Sequence, residues 1–213
     1  DQGLTDAQWR LAELHATGDG VAKDDTLALK WFRAAAAQGH ARAQNALGDR
    51  LLRGQGTAAN PAEALAFHRL AAAQGLPAAQ HRVGQALAGG LGVARNEAEA
   101  VTWYQKAADQ GWAAAQVSLG LAHAHGTGVP KDPLQAQAWL GKAAAQGDAE
   151  ARFQLGQLYA TGKALPQDLA ESLRWTRQAA DQGHPGAQHR MGQVHEQGLG
   201  VPKDGATAST WYE

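Results

Sequence analysis

The chain has 213 residues, 19 Lys and Arg against 20 Asp and Glu, a net charge of −1 and no cysteine. Such a balance offers no basic stripe to nucleic acid and no polybasic segment to an anionic membrane; disulfides and thiolate zinc sites are excluded, and no apolar run of about 18 residues is present to span a bilayer. The opening DQGLTDAQW has no basic or apolar leader and starts with Asp, so a preceding stretch is expected to have been removed.

The predicted elements repeat along the chain. Six units follow in register: 4–39, 40–75, 76–111, 112–147, 148–183 and an incomplete 184–213, all in one repeat domain. In the first, a helix stops at Gly18, a Gly18-Asp19-Gly20 loop follows, and a second helix carrying Trp31 closes at Gln38-Gly39. In the second, ARAQNALGDRLLR places Ala43, Ala46, Leu47 and Leu51 on one helical face, and Gly54 ends it. Asn60-Pro61-Ala62-Glu63 then reads as N-cap, first-turn proline and capping-box acid for a helix over 61–73 that buries Ala64, Phe67 and Ala71. Asn96 with Glu99, Asp132-Pro133, and Asp168 with Glu171 repeat parts of that start in the third to fifth units. The aromatic recurs at Phe67, Trp103, Trp139, Trp175 and Trp211, and Gln-Gly ends each second helix at 74–75, 110–111, 146–147 and 182–183. The sixth unit stops at Trp211-Tyr212-Glu213, so its last helix is expected to fray and to offer a surface for homo-oligomer contact.

Positions that recur in every unit serve packing, because each unit meets equivalent neighbours. Leu47-Gly48, Val83-Gly84, Leu119-Gly120, Leu155-Gly156 and Met191-Gly192 are of this kind. A mid-helix glycine costs roughly 1 kcal/mol against alanine. Its recurrence therefore predicts a neighbouring helix too close for a Cβ.

These residues resemble the Sel-one-like repeat family, a relative of the tetratricopeptide repeat. Ala115-Gln116, Leu119-Gly120, Gly126-Thr127-Gly128-Val129, Asp132, Ala136, Trp139, Lys142-Ala143-Ala144 and Gln146-Gly147 carry the likeness, which covers nearly the whole chain. Ala12 replaces the helix glycine in unit one, and Ala164 the second loop glycine in unit five. The helix–loop–helix units predict an all-α fold of antiparallel helix pairs. The resemblance implies a right-handed α-solenoid, a superhelix that acts as an adaptor for protein complexes, often in exported or periplasmic bacterial proteins. The cysteines of its disulfide-bonded members are missing, so no activity of that subgroup is implied.

No reactive constellation emerges. The glycine loops lack the strand and the Gly-Lys-Ser/Thr triplet of a phosphate loop, and 21 of the 26 glycines fall at repeat positions. His15, His123 and His195 share the slot that Tyr159 fills, where a ring is expected to pack and bond a neighbouring backbone group. His125 lies two residues after His123, roughly 200° around the helix, so the two cannot chelate one ion. Ser118, Ser172 and Ser209 sit in no nucleophile elbow. Glu13 and Asp49 form an acid–base pair only if one is desolvated. Neither metal nor cofactor is expected, and the chain does not read as an enzyme.

One stripe escapes the packing pattern. Two residues before each Leu-Gly leucine, two after it and four further on stand Trp9, Glu13 and Thr17; Asn45, Asp49 and Arg53; His81, Gln85 and Gly89; Val117, Leu121 and His125; Phe153, Gln157 and Thr161; His189, Gln193 and Gln197. In a tetratricopeptide-like array this stripe lines the concave surface, where apolar anchors among amides and imidazoles suit a protein or peptide ligand. Trp112, at an inter-helix position, is expected to be exposed. The leading reading is a non-catalytic scaffold. The alternatives are an immunity-type protein that neutralises a secreted bacterial toxin, which rescue on co-expression would reveal, and an envelope-associated hydrolase or small-ligand binder. The latter requires three ionisable groups in one pocket.

Overall fold

A computed structural model describes residues 2–162 and 166–213; Ala164 lies outside them. Twelve helices and no strand occur among the described residues. They are α1 (Gln2–Thr17), α2 (Asp25–Ala37), α3 (Ala41–Arg53), α4 (Pro61–Ala73), α5 (Pro77–Gly89), α6 (Glu97–Asp109), α7 (Ala113–His125), α8 (Pro133–Ala145), α9 (Ala149–Thr161), α10 (Leu169–Ala180), α11 (Pro185–Gln197) and α12 (Gly205–Tyr212). Packing gathers them into two compact units, Asp1–Gln110 and Gly111–Glu213, each holding three helix pairs. No described helix is long and apolar enough to cross a membrane.

The helix ends follow the local chemistry. Asp24, Asn60, Asn96, Asp132, Asp168 and Asp204 each accept a hydrogen bond from an N–H of the first turn of α2, α4, α6, α8, α10 or α12. The capping box departs from expectation. Glu63 and Glu99 accept from the cap amides of Asn60 and Asn96 rather than from backbone N–H groups. The Asn60 and Asn96 N–H groups are already bonded to the Leu51 and Leu87 carbonyls, which ties each loop to the helix before it.

The mid-helix glycines do mark close approach, and the structure shows to what. A Cβ on Gly84 would stand 2.5 Å from the Tyr104 ring, one on Gly120 2.7 Å from Leu140, and one on Gly156 2.5 Å from the Thr176 hydroxyl. Each intruding side chain belongs to the paired helix, 20 residues on. The expected core aromatics therefore need correction. Phe67, like Trp31, Trp103, Trp175 and Trp211, is only part-buried, and Trp139 alone of that series is buried. The deep slot belongs to the next residue: Phe32, His68, Tyr104, Leu140 and Thr176 are all buried. A large ring spans the helix edge, and cationic side chains roof it: Lys106 Nζ lies 4.2 Å above Trp103 and Lys142 Nζ 3.7 Å above Trp139.

Recurring glutamines clamp successive pairs. Gln44 Nε2 donates to the Ala36 carbonyl at 3.2 Å, and Gln74 Nε2 donates to Gln44 Oε1 at 2.8 Å. Gln80, Ala72 and Gln110 repeat the arrangement, and Gln146 donates likewise to Gln116. Gln80→Leu strips the Ala72 carbonyl of this donor and removes one of the acceptors of Gln110, so a loss of about 1–2 kcal/mol is expected in urea titration. A loss no larger than that of an exposed Gln135→Leu control would show that the clamp contributes nothing.

Candidate protein-binding face

In the first unit the stripe divides into packed and accessible members. Trp9 of α1 stacks on His40 at 5.2 Å and meets Phe32 edge-on at 5.4 Å, so it is half-buried in the core. His81 of α5 is buried beside the Tyr104 ring at 5.5 Å, contrary to the expectation of an accessible residue. Burial, and then the nearby Arg82 cation, lower its pKa to about 4. Glu13 pairs with Arg10, and Arg53 is exposed. Asn45 holds a covered Oδ1 without a hydrogen-bond partner.

Asp49, Gln85 and Arg82 form the polar centre of this unit. Arg82 Nε lies 2.9 Å from Asp49 Oδ1, and Arg82 Nη1 donates to Gln85 Oε1 at 3.0 Å. Burial raises the Asp49 carboxyl pKa, but the His68 contact and the Arg82 charge outweigh it, and the net direction is downward. Asp49 is thus an ionised, paired carboxylate and no match for the acid–base partner considered with Glu13. His68 Nε2 lies 3.3 Å from Asp49 Oδ1 yet out of line for a hydrogen bond.

In the second unit Val117 of α7 is buried, a second departure from an accessible stripe, because it packs with Leu140, Ala151 and Leu155. Leu121 rests half-buried on that cluster. Phe153 of α9 lies 4.6 Å from the His184 ring, half-buried, with Gln157 and His125 exposed. His189 is exposed, 5.5 Å from the Tyr212 ring, and its Nε2 sits 3.1 Å from Gln193 Nε2. Trp112 is exposed at the N-cap of α7.

The His15 and His123 rings do not bond a backbone group through Nδ1, which is covered and without a partner. The repeating bond at this slot is made instead by the residues' own carbonyls, which accept the Asp24, Asp132 and Asp204 N–H groups. Among the described residues no group of three or more His, Asp or Glu could hold a metal ion.

The family model of the Sel1 repeat matches residues 5–40, 41–76, 77–112, 113–148, 149–184 and 185–213. The chain belongs to the Sel1 repeat family. The matched units begin one residue later than those drawn from the glycine pattern, a choice of phase within one 36-residue period. Sel1 repeats are commonly protein-interaction scaffolds. The crystal structure of a Sel1 repeat protein from Oxalobacter formigenes is 33% identical, with a TM-score of 0.92, over 97% of this chain and 83% of that one. The Escherichia coli protective antigen c5321, which displays an SLR fold, is 35% identical, with a TM-score of 0.87, over 97% of this chain. The chain spans only 44% of that antigen's length. The Pseudomonas aeruginosa immunity protein Pa5087 shares the fold, at 21% identity and a TM-score of 0.63, with 98% of this chain and 81% of that one covered. No curated protein matches the chain.

Sequence reasoning missed Arg82 and His68. Both stand at positions that the repeat pattern leaves open, and neither lies on the stripe. The signal was their spacing: Arg82 stands three residues before Gln85, one helical turn away, and His68 stands 20 residues after Gly48.

Proposed function

We propose that this Sel1 repeat protein is a non-catalytic adaptor that binds a protein partner on its first-helix face, with Leu121 and Phe153 as apolar anchors. The observation that carries the reading is the condition of these two side chains. Both sit at stripe positions free of the repeat's packing pattern, half-exposed, with exposed His125 and Gln157 close by in the same helices. An apolar group that a monomer leaves half in water gains further burial on association, and adaptable polar neighbours form a rim. Asp49, Arg82 and Gln85 give the first unit a polar contact area that orients a partner more than it tightens it.

The test is capture of a partner from the native host by the wild-type chain and by Leu121→Asp/Phe153→Asp. Capture is expected to be lost, at least about 100-fold for two anchors worth about 2 kcal/mol each. The helical signal should persist. Unchanged capture would sink the assignment.

A further inference from the structure

The repeats provide an internal comparison. Between α2 and α3, Arg50 pairs with Asp25 at 2.8 Å, and its guanidinium lies 5.1 Å over the Phe32 ring. That side chain is only 11% exposed and fills the space between the helices. One period further on, all three residues change together: Ala86 stands for Arg50, Pro61 for Asp25 and His68 for Phe32. The same space is there a cavity of about 250 Å³, bounded by these three residues, by the side chains of Leu52, Leu65 and Leu91, and by Arg82 and Gln85.

The chemistry of the wall selects its occupant. Pro61 brings no carboxylate, so the cavity has no counter-charge for a cation like the one that fills its sister. Arg82 and Gln85 offer it donors. Arg82 spends one N–H on each Asp49 oxygen and one on Gln85 Oε1, and a guanidinium carries five. Gln85 accepts through its oxygen and keeps its amide hydrogens. Asp49 feels both Arg82 and Arg53, so one negative charge faces two positive ones. A carboxylate is therefore favoured over a neutral carbonyl. The volume lies below the roughly 300–1,000 Å³ of small-molecule pockets and suits one side chain. The wall carries two ionisable groups, His68 and Arg82.

We propose that this cavity receives the aliphatic C-terminal residue of a polypeptide, its side chain against Leu52, Leu65 and Leu91 and its α-carboxylate on Arg82 and Gln85. The inference rests on the protein-binding reading of the first-helix face, to which Gln85 belongs. The experiment is NMR titration of the whole chain with N-acetyl-L-leucine and N-acetyl-L-leucinamide up to their solubility. Shifts clustered at Ala86 and Leu91 are expected with the acid, with the amide at least about tenfold weaker, since charge-assisted hydrogen bonds are lost. Arg82→Gln should reduce the acid to the amide's affinity. Ala86→Arg/Pro61→Asp rebuilds the sister ion pair and should abolish the shifts, while circular dichroism reports whether it folds. No clustered shifts, equal affinity of acid and amide, or undiminished acid binding by Arg82→Gln would each overturn the proposal. Loss of capture in Leu121→Asp/Phe153→Asp tests the face itself, in the other unit, so the two failures are distinguishable.

Discussion

Folding stability is expected to fall by about 3 kcal/mol through one imidazole as pH drops from 6.5 to about 4, and His81→Phe should remove that fall. The folded protein keeps the His81 ring neutral down to about pH 4, because the ring is buried and Arg82 stands beside it. The unfolded chain protonates it below the ordinary value of 6.5. Between those two values the unfolded state holds more protons, so acid favours unfolding; above 6.5 the contribution is complete, and below about 4 it is spent. Phe153 fills the equivalent slot in α9, so a phenyl ring is compatible with this helix surface. The measurement is the urea midpoint of both proteins across this pH range. Parallel curves would show that His81 does not control the slope, whatever the absolute stability of the variant.

Gly92→Ala is expected to destabilise the first unit by about 3 kcal/mol, from a left-handed conformation and a backbone collision together. Gly92 has φ +72°, and a Cβ there would lie 2.5 Å from the Pro61 carbonyl and 2.6 Å from the Ala62 nitrogen. Backbone at the start of α4 cannot step aside as a side chain can. Gly75 also has a positive φ, +87°, but no atom lies within 4 Å of its added Cβ, so Gly75→Ala should cost only about 1 kcal/mol. Equal losses for the two variants would refute the collision. The pair separates two uses of loop glycine that look alike in sequence: the turn itself and the seat for a neighbouring repeat.

Much of this molecule was legible in its residues. The period, the helix starts at Asn60, Asn96, Asp132 and Asp168, and the stops at Gly54, Gly90 and Gly126 appear as read. These features depend on a few adjacent residues: a cap accepts from N–H groups two or three residues away, and only glycine turns left-handed freely. The deep core slot was placed one residue early, at Phe67 instead of His68, because recurrence and size look the same in a buried ring and in a ring roofed by a lysine or arginine.

The candidate site was legible only as a list of variable positions. Helical spacing places Trp9, His81 and Val117 in line with Asp49 and Leu121, but it does not say which of them the adjacent pair covers. Neither the Asp49–Arg82 pair nor the cavity beside Ala86 lies within one helix; each depends on residues distant in sequence, from Leu52 to Leu91 in the cavity, meeting across two repeats. By itself the sequence determined the elements, their boundaries and the family, since local hydrogen bonding and a strict period suffice for those. Which side chains are exposed was decided by tertiary structure alone, because exposure is set by the neighbour that packs against a residue and not by the residue's own place in the repeat.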